Sequence, residues 1–501
     1  MTIALVVLTQ VAFVVAVTFL AKVTVLAQVP ELEINALFEL FVSTHGTTWQ
    51  WRNESILGPR WNFTRDEDGN FVDNPCSSGW QGVNCTKSSS LCAVETCQIT
   101  QLIIPDYNLT GTIPREIGDL VVLKRLDFTS NSLSGSIPTE IGQLLSLEIL
   151  ALSNNAITVS TPFDAIELDD DTFLEDDPLY GSNQLTGSIP SEIGNLMALK
   201  TLELYGNSLT GSLPTEIGNL LALEWLYLSY NSFTGPLIDD IFNLVALRWI
   251  DIDVNQFSGS ISSEIFNLID LERFQVFDNL LTGSVPSEVG NLLSLQLLNI
   301  FDNRLTGLIP SEIGNLADLE FLILDFNMLT GSIPDAIENL TNLVWLDLND
   351  NTLTGSLPRG ISKLIALQVI DLEYNSFSGP IPNGIGNLED LELLFLNNNA
   401  LTQSIPSEIS KLGNLEYLFL QSNSLSGSMD KIFNASKQII LEVVDLSNNM
   451  LTGSYSNSIF LLPEIRVLAL SGTTHLLLFY KSNIWIDKCD AVLTFLFLFY
   501  T

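Results

Sequence analysis

The chain has 501 residues, of which 58 are Asp or Glu and 20 are Lys or Arg, leaving a net charge of −38. That balance excludes nucleic-acid partners, which demand a basic footprint, and disfavours docking on anionic lipid. Cationic partners, or simple solubility of a large surface, fit it better.

Residues 3–21 (IALVVLTQVAFVVAVTFLA) are almost all apolar. Val25, Leu26 and Ala27 offer small-residue cleavage chemistry. Residues 1–27 therefore read as a signal peptide or, uncleaved, as a signal anchor. Either one places the rest of the chain outside the cytosol. It is secreted, or held at the cell surface with membrane contact only through that N-terminal segment. Six N-x-S/T sequons agree with this: Asn53, Asn62, Asn84, Asn108, Asn339 and Asn434.

Residues 31–98 do not repeat and read as an N-terminal cap. From Glu31 to Val42 the apolar residues Leu32, Ile34, Leu37, Leu40 and Phe41 fall at helical spacing. A Trp-rich loop with Trp49, Trp51 and Trp61 follows. The first unit of a stacked array has no neighbour on one side, and the helix and tryptophans can cover it. Four of the five cysteines, Cys76, Cys85, Cys92 and Cys97, cluster here, while Cys489 stands alone. An even local cluster beside an apolar leader points to disulfides. A zinc site is the alternative, but C-x2-C spacing and a nearby His pair are both missing.

From about 99 to 473 one unit of 24 residues recurs, as in LVWLDLNDNTLTGSLPRGISKLIA from Leu343. An Asn returns every 24 residues from Asn207 to Asn423. Fixed self-similarity at this period means a stacked solenoid. Each unit opens L-x-x-L-x-L-x-x-N, as in Leu319, Leu322, Leu324 and Asn327, which reads as a short strand with one face inward. The Asn amide can pair backbone groups of adjacent turns and so form a ladder. A segment such as SEIGNLAD has the spacing of a short helical turn on the outer side. Unit starts fall near 99, 123, 147, 175 and 199, then every 24 to 415, then 441 and 465, making about sixteen. Tyr107 and Thr473 take the Asn position in the end units. Gln403 replaces the Gly, and Ile238, Ser262, Asp430 and Ser456 replace the Pro.

The gap from Asn155 to Asn183 is irregular and holds an acidic insertion over 160–178, with Asp169, Asp170, Asp171, Glu175, Asp176 and Asp177. Glu175 and Pro178 fall where strand leucines belong, so a break or bulge in the sheet is expected there. Clustered carboxylates are hard-cation ligands, but EF-hand spacing is absent, and the insertion reads as a solvated loop. Residues 474–501 form an apolar tail whose two patches are each too short to span a membrane.

The unit LxxLxLxxNxLTGxIPxEIGNL resembles the plant-type leucine-rich repeat. The Cys76-x8-Cys85 segment, with Trp80, Gly82 and Val83, is similar to the N-terminal cap of receptor-like proteins and receptor-kinase ectodomains, two residues longer than is usual. The resemblance implies an α/β solenoid, a right-handed superhelix with a concave parallel sheet. It also implies a Cys76–Cys85 disulfide and recognition of proteins, peptides or glycans on the concave side, while Cys92 and Cys97, the other two cysteines of the cluster, are left as the second pair.

An enzyme is not expected, and neither is a cofactor or a metal. The only histidines, His45 and His475, lie at opposite ends, and no nucleophile elbow or phosphate-binding loop occurs. Residues between the strand leucines point to the concave surface. They nominate a ligand patch of Tyr205, Tyr227, Tyr230, Asp251, Asp253, Phe277, Asp278, Phe301, Asp302, Asp325, Phe326, Asp347 and Tyr374. Aromatic anchors among carboxylates suit a partner surface. A further column, Trp225, Trp249, Phe321, Trp345 and Tyr417, reads as packing at the sheet rim. The expected function is non-catalytic binding. An inhibitor of extracellular hydrolases and a structural coat protein are the alternatives.

Overall fold

The computed structural model describes residues 29–87, 89–92, 96–153, 183–429, 431–452 and 459–470. These residues form two compact units, one ending at Asn231 and one beginning at Ser232. The leader, the whole acidic insertion over 160–178, Asn155, Asp430, Ser456, Thr473, His475, Cys489 and the tail lie outside the described residues.

In the first unit the helix Glu31–Ser43 buries Ile34, Ala36, Leu37 and Leu40. Leu32, assigned to the apolar face, is instead 65% exposed, and the buried residue beside it is Glu33. The Glu33 carboxylate accepts from Ile99 N at 2.8 Å and so satisfies the first backbone donor of the repeat array. Burial pushes its pKa up. Trp49, Trp61 and Trp80 are buried, with ring centroids 5.0 Å apart for Trp49–Trp61 and 5.9 Å for Trp61–Trp80. Gln81 ties this cluster to the repeats: its amide nitrogen donates to Arg52 and Gly58 carbonyls, and its oxygen accepts from the Tyr107 hydroxyl. The strand Val83–Cys85 pairs antiparallel with Ile99–Ile103, giving the first repeat a covered edge. Cys76–Cys85 and Cys92–Cys97 are disulfides, which removes the zinc alternative.

Each repeat contributes one strand to a main parallel sheet, five in the first unit and ten in the second. Phe321–Ile323, for example, pairs in register with Leu297–Asn299 on one side and Trp345–Asp347 on the other. Leu319, Leu322, Leu324 and Leu329 are all buried. Each such side chain contributes roughly 1.5–3 kcal/mol by leaving water. Asn327 shows how successive repeats are joined. Its amide nitrogen donates to Leu324 O and Asp325 O in its own repeat and to Ile300 O in the one before. Its oxygen accepts from Leu305 N at 2.9 Å. The outer turns are 3₁₀ helices such as Ser311–Asn315. They stack so closely that a Cβ on Gly314 would lie 2.4 Å from the Ala336 carbonyl oxygen. The LTG segments form a second parallel sheet that sequence periodicity did not show, Met328–Gly331 lying between Arg304–Leu308 and Thr352–Ser356. Gln403, in the glycine position of its strand, keeps the left-handed φ of +68°.

The irregular segment is organised differently from the expectation. The strand Ile149–Ala151 pairs directly with Thr201–Glu203, in unbroken register. No break or bulge interrupts the sheet, and the unit counted from 175 contributes no strand between these two. The reason lies in Asn183, whose amide donates to Phe128 O, Leu152 O and Ser153 O and accepts from Leu133 N. It occupies the ladder position that spacing assigned to Asn155. Residues 154–182 are thus an insertion within one repeat.

Replacing residues 154–182 by a single glycine should leave the repeat intact, because Asn183 donates to Ser153 O as Asn327 does to Asp325 O, and there one left-handed residue, Phe326, lies between. The expected result is unchanged circular dichroism and a melting temperature within about 3 °C of the parent. Asn327→Ala, in contrast, strands the Leu305 N–H and neighbouring carbonyls. It should lower stability by about 3 kcal/mol in urea unfolding.

Candidate functional site

The main sheet turns one side of every strand, and the residues just after it, away from the leucine core. In the second unit the column of last strand residues runs Asp251, Gln275, Asn299, Ile323, Asp347, Asp371, with Phe395 and Phe419 beyond. Two residues later lie Asp253, Phe277, Phe301, Asp325, Asn349 and Glu373. At about 4.8 Å between strands, neighbours in a column touch.

Close spacing makes the acids of this face more enclosed than an exposed patch. Asp251, Asp253, Asp325, Asp347, Asp371 and Glu373 are all at most 8% exposed, whereas Asp278 and Asp302 stay exposed. Burial, reinforced by neighbouring carboxylates, pushes Asp253, Asp325 and Asp371 well above the ordinary carboxylate range. Burial likewise raises Asp347 and Glu373 to about 7. Asn349 holds the centre: its amide nitrogen donates to Asp347 Oδ1 at 2.9 Å and Asp371 Oδ2 at 3.3 Å. Asp371, Glu373, Asn349 and Asn397 were missing from the ligand set. Asn349, Asp371 and Glu373 stand in the outward columns that the sequence defines, and they were left out because a place in a column does not reveal which side chains become enclosed.

The aromatics divide into two kinds. Phe277 and Phe301 stack with centroids 4.5 Å apart, and Phe395 and Phe419 at 4.9 Å. Phe326 and Tyr374 instead stand 47% and 51% exposed, on residues with φ of +46° and +47°. Val254, Asp278, Asp302 and Asp350 share this left-handed position. A left-handed backbone costs an ordinary residue about 1–2 kcal/mol and suits Asn, Asp or Gly. Phe and Tyr are therefore kept there against local preference. The rim residues are half-buried, except for Phe321, which is buried. Arg273 lies over the Trp249 ring at 4.5 Å.

In the first unit, Tyr205 and Tyr227 are half-buried and Tyr230 is 38% exposed at φ +52°. Tyr227 pairs beside Glu203, whose pKa is raised by burial and by Asp127. Asp127 itself pairs with Arg125 at 2.7 Å. Of the sequon asparagines, Asn53, Asn62, Asn84 and Asn339 are exposed, while Asn108 and Asn434 are half-buried.

Leucine-rich-repeat family profiles match residues 319–377 and, singly, 122–144, 198–220, 222–244, 294–316 and 390–412. Among solved structures, a TDR receptor is 31% identical, with a TM-score of 0.59, over 74% of this chain and 67% of its own. The chain belongs to the leucine-rich-repeat family, in its plant type. The Arabidopsis receptor kinase HAESA, solved with a peptide hormone and a co-receptor, is 32% identical over 74% of this chain and 61% of its own, with a TM-score of 0.62. A leucine-rich-repeat protein of Leptospira interrogans is 32% identical over 73% of this chain and 83% of its own, with a TM-score of 0.56. This repeat protein thus spans about two thirds of the receptor chains it matches. No curated protein matches its sequence.

The buried acids give the repeats a pH-dependent stability. Their folded pKa values exceed the unfolded ones, so between about pH 4 and 7 the folded state holds protons that the unfolded state has released. The contribution of these acids is therefore greatest at low pH and is lost as pH rises through about 7. The melting temperature should fall by about 5 °C or more from pH 5 to pH 8, and Asp371→Asn with Glu373→Gln should flatten that decline.

Proposed function

We propose that this leucine-rich-repeat protein is a non-catalytic recognition protein, secreted or tethered at the cell surface. It holds a protein, peptide or glycan on the outward face of its main sheet. The observation that carries this reading is the set of side chains the fold does not need. Phe326 and Tyr374 are bulky, exposed and seated on left-handed backbone, where Asn would be easier. Beside them lie stacked phenylalanines and carboxylates, the mixture of apolar anchors and placed acceptors found at binding centres.

Other observations agree. HAESA, of similar fold, is solved with a peptide hormone bound. Two disulfides in the cap suit an oxidising compartment. Among the described residues, no helix is long and apolar enough to cross a membrane. The apolar residues 3–21 are one candidate tether.

The test is selection of peptides from a displayed random library on the immobilised chain, followed by affinity measurement. Selected peptides should bind the parent at least ~10-fold more tightly than a Phe277→Ala, Phe301→Ala, Phe326→Asn variant. That variant should remain folded, because all three side chains lie outside the leucine core. Peptides that bind parent and variant equally would exclude the sheet face as the recognition surface.

A further inference from the structure

From Asp325 to Asn397 the face crosses four strands, about 14 Å at 4.8 Å per step. This stretch is rich in acceptors, and its side-chain donors include the Trp345 indole N–H beside Asp347 and the Tyr374 hydroxyl beside Asn398. The Asn349 amide nitrogen is committed to Asp347 and Asp371, and the Asn397 amide nitrogen donates to Glu373. The amide oxygens of those same two side chains, and Asp325 Oδ1, are buried and accept no hydrogen bond. Their residues are 6%, 1% and 7% exposed. Each buried acceptor without a donor costs about 1–3 kcal/mol.

The carboxylates around these oxygens face one another without a cation. Asp325 repels Asp302, Asp347 and Asp350, while Asp371 repels Asp347 and Glu373. Glu373 and Asp350 also face the Tyr374 hydroxyl. None of the four strands, nor the three residues after each, carries Lys, Arg or His. Arg304 lies in the second sheet, and Arg359 and Lys363 lie in a 3₁₀ turn.

A metal ion suits this stretch poorly, since no group of three or more His, Cys, Asp or Glu among the described residues is placed to hold one. A guanidinium suits it well. It offers five donors in a plane and no acceptor, and it sheds water more readily than an ammonium. The stacked Phe277–Phe301 and Phe395–Phe419 pairs flank the acids and offer ring faces to apolar neighbours of such a group.

We propose that the face between Asp325 and Asn397 receives the guanidinium of an arginine side chain on a peptide or protein partner. The proposal rests on the reading of this face as a recognition surface and specifies its chemistry. The cation supplies donors to Asp325 and Asn349, which lie on adjacent strands within reach of one guanidinium, and opposes the charge of Asp347, Asp371 and Glu373. It competes with protons for these carboxylates, so binding strengthens as pH rises.

The experiment is titration calorimetry of the full chain with a capped pentapeptide, Phe-Arg-Ala-Arg-Phe, and its citrulline counterpart, which keeps the shape and removes the charge. At pH 8 the arginine peptide should bind at least ~10-fold more tightly than the citrulline peptide. That preference should disappear in Asp325→Asn and in Asp371→Asn with Glu373→Gln, persist in Asp445→Asn, and shrink at pH 5. These variants remove repulsion, and their folding is checked by thermal melting. Equal binding of the two peptides overturns the arginine site. If such equal binding is nonetheless abolished by Phe277→Ala with Phe301→Ala, peptide recognition stands and only the cation assignment fails. Binding of neither peptide, or stabilisation by calcium ion alone, also overturns it.

Discussion

Each ladder asparagine joins two repeats with one side chain. The amide of Asn327 closes its own turn at Leu324 and Asp325 while reaching Ile300 and Leu305 of the preceding repeat. Asn303 and Asn351 repeat the pattern on either side. No hydrophobic contact could do this, because the groups concerned are buried backbone N–H and C=O at the passage from the main sheet to the second. Leucines supply most of the driving force, but the ladder fixes the step from one repeat to the next. Once that step is set, strand residues align in columns, and columns create the face.

The same constraint explains how the insertion is tolerated. Asn183 restores the ladder after 154–182, so the strand at Ile149–Ala151 meets Thr201–Glu203 without a slip. It also explains why the array needs its cap. At Tyr107 the ladder residue is missing, and the first repeat is held instead by Gln81, Glu33 and the antiparallel strand Val83–Cys85.

Alignment in columns has an electrostatic consequence. Acids 24 residues apart in sequence become neighbours at strand spacing, and each shields the next from water. Asp347 and Asp371 share the donor of Asn349, yet desolvation still favours their protonated forms. A face with these properties stores unfavourable interactions that a cationic partner would relieve. Stability and the proposed recognition would then be coupled to pH through the same carboxylates.

The sequence by itself determined the period, the strand leucines, the asparagine ladder and the outward columns, because each follows from a residue type recurring at a fixed spacing. It could not show the second sheet, whose LTG segments are too short to have a period of their own. It misplaced the repeat near 175, since Asn155 and Asn183 are equally good ladder residues in a linear text. Leu32 and Glu33 were likewise exchanged between surface and interior, because helical spacing does not reveal that Ile99 N lacks a backbone partner. Tertiary structure alone decided which acids of the face are enclosed and which stay in water. That outcome depends on the side chains one strand away on either side, and those neighbours exist only after the repeats have stacked.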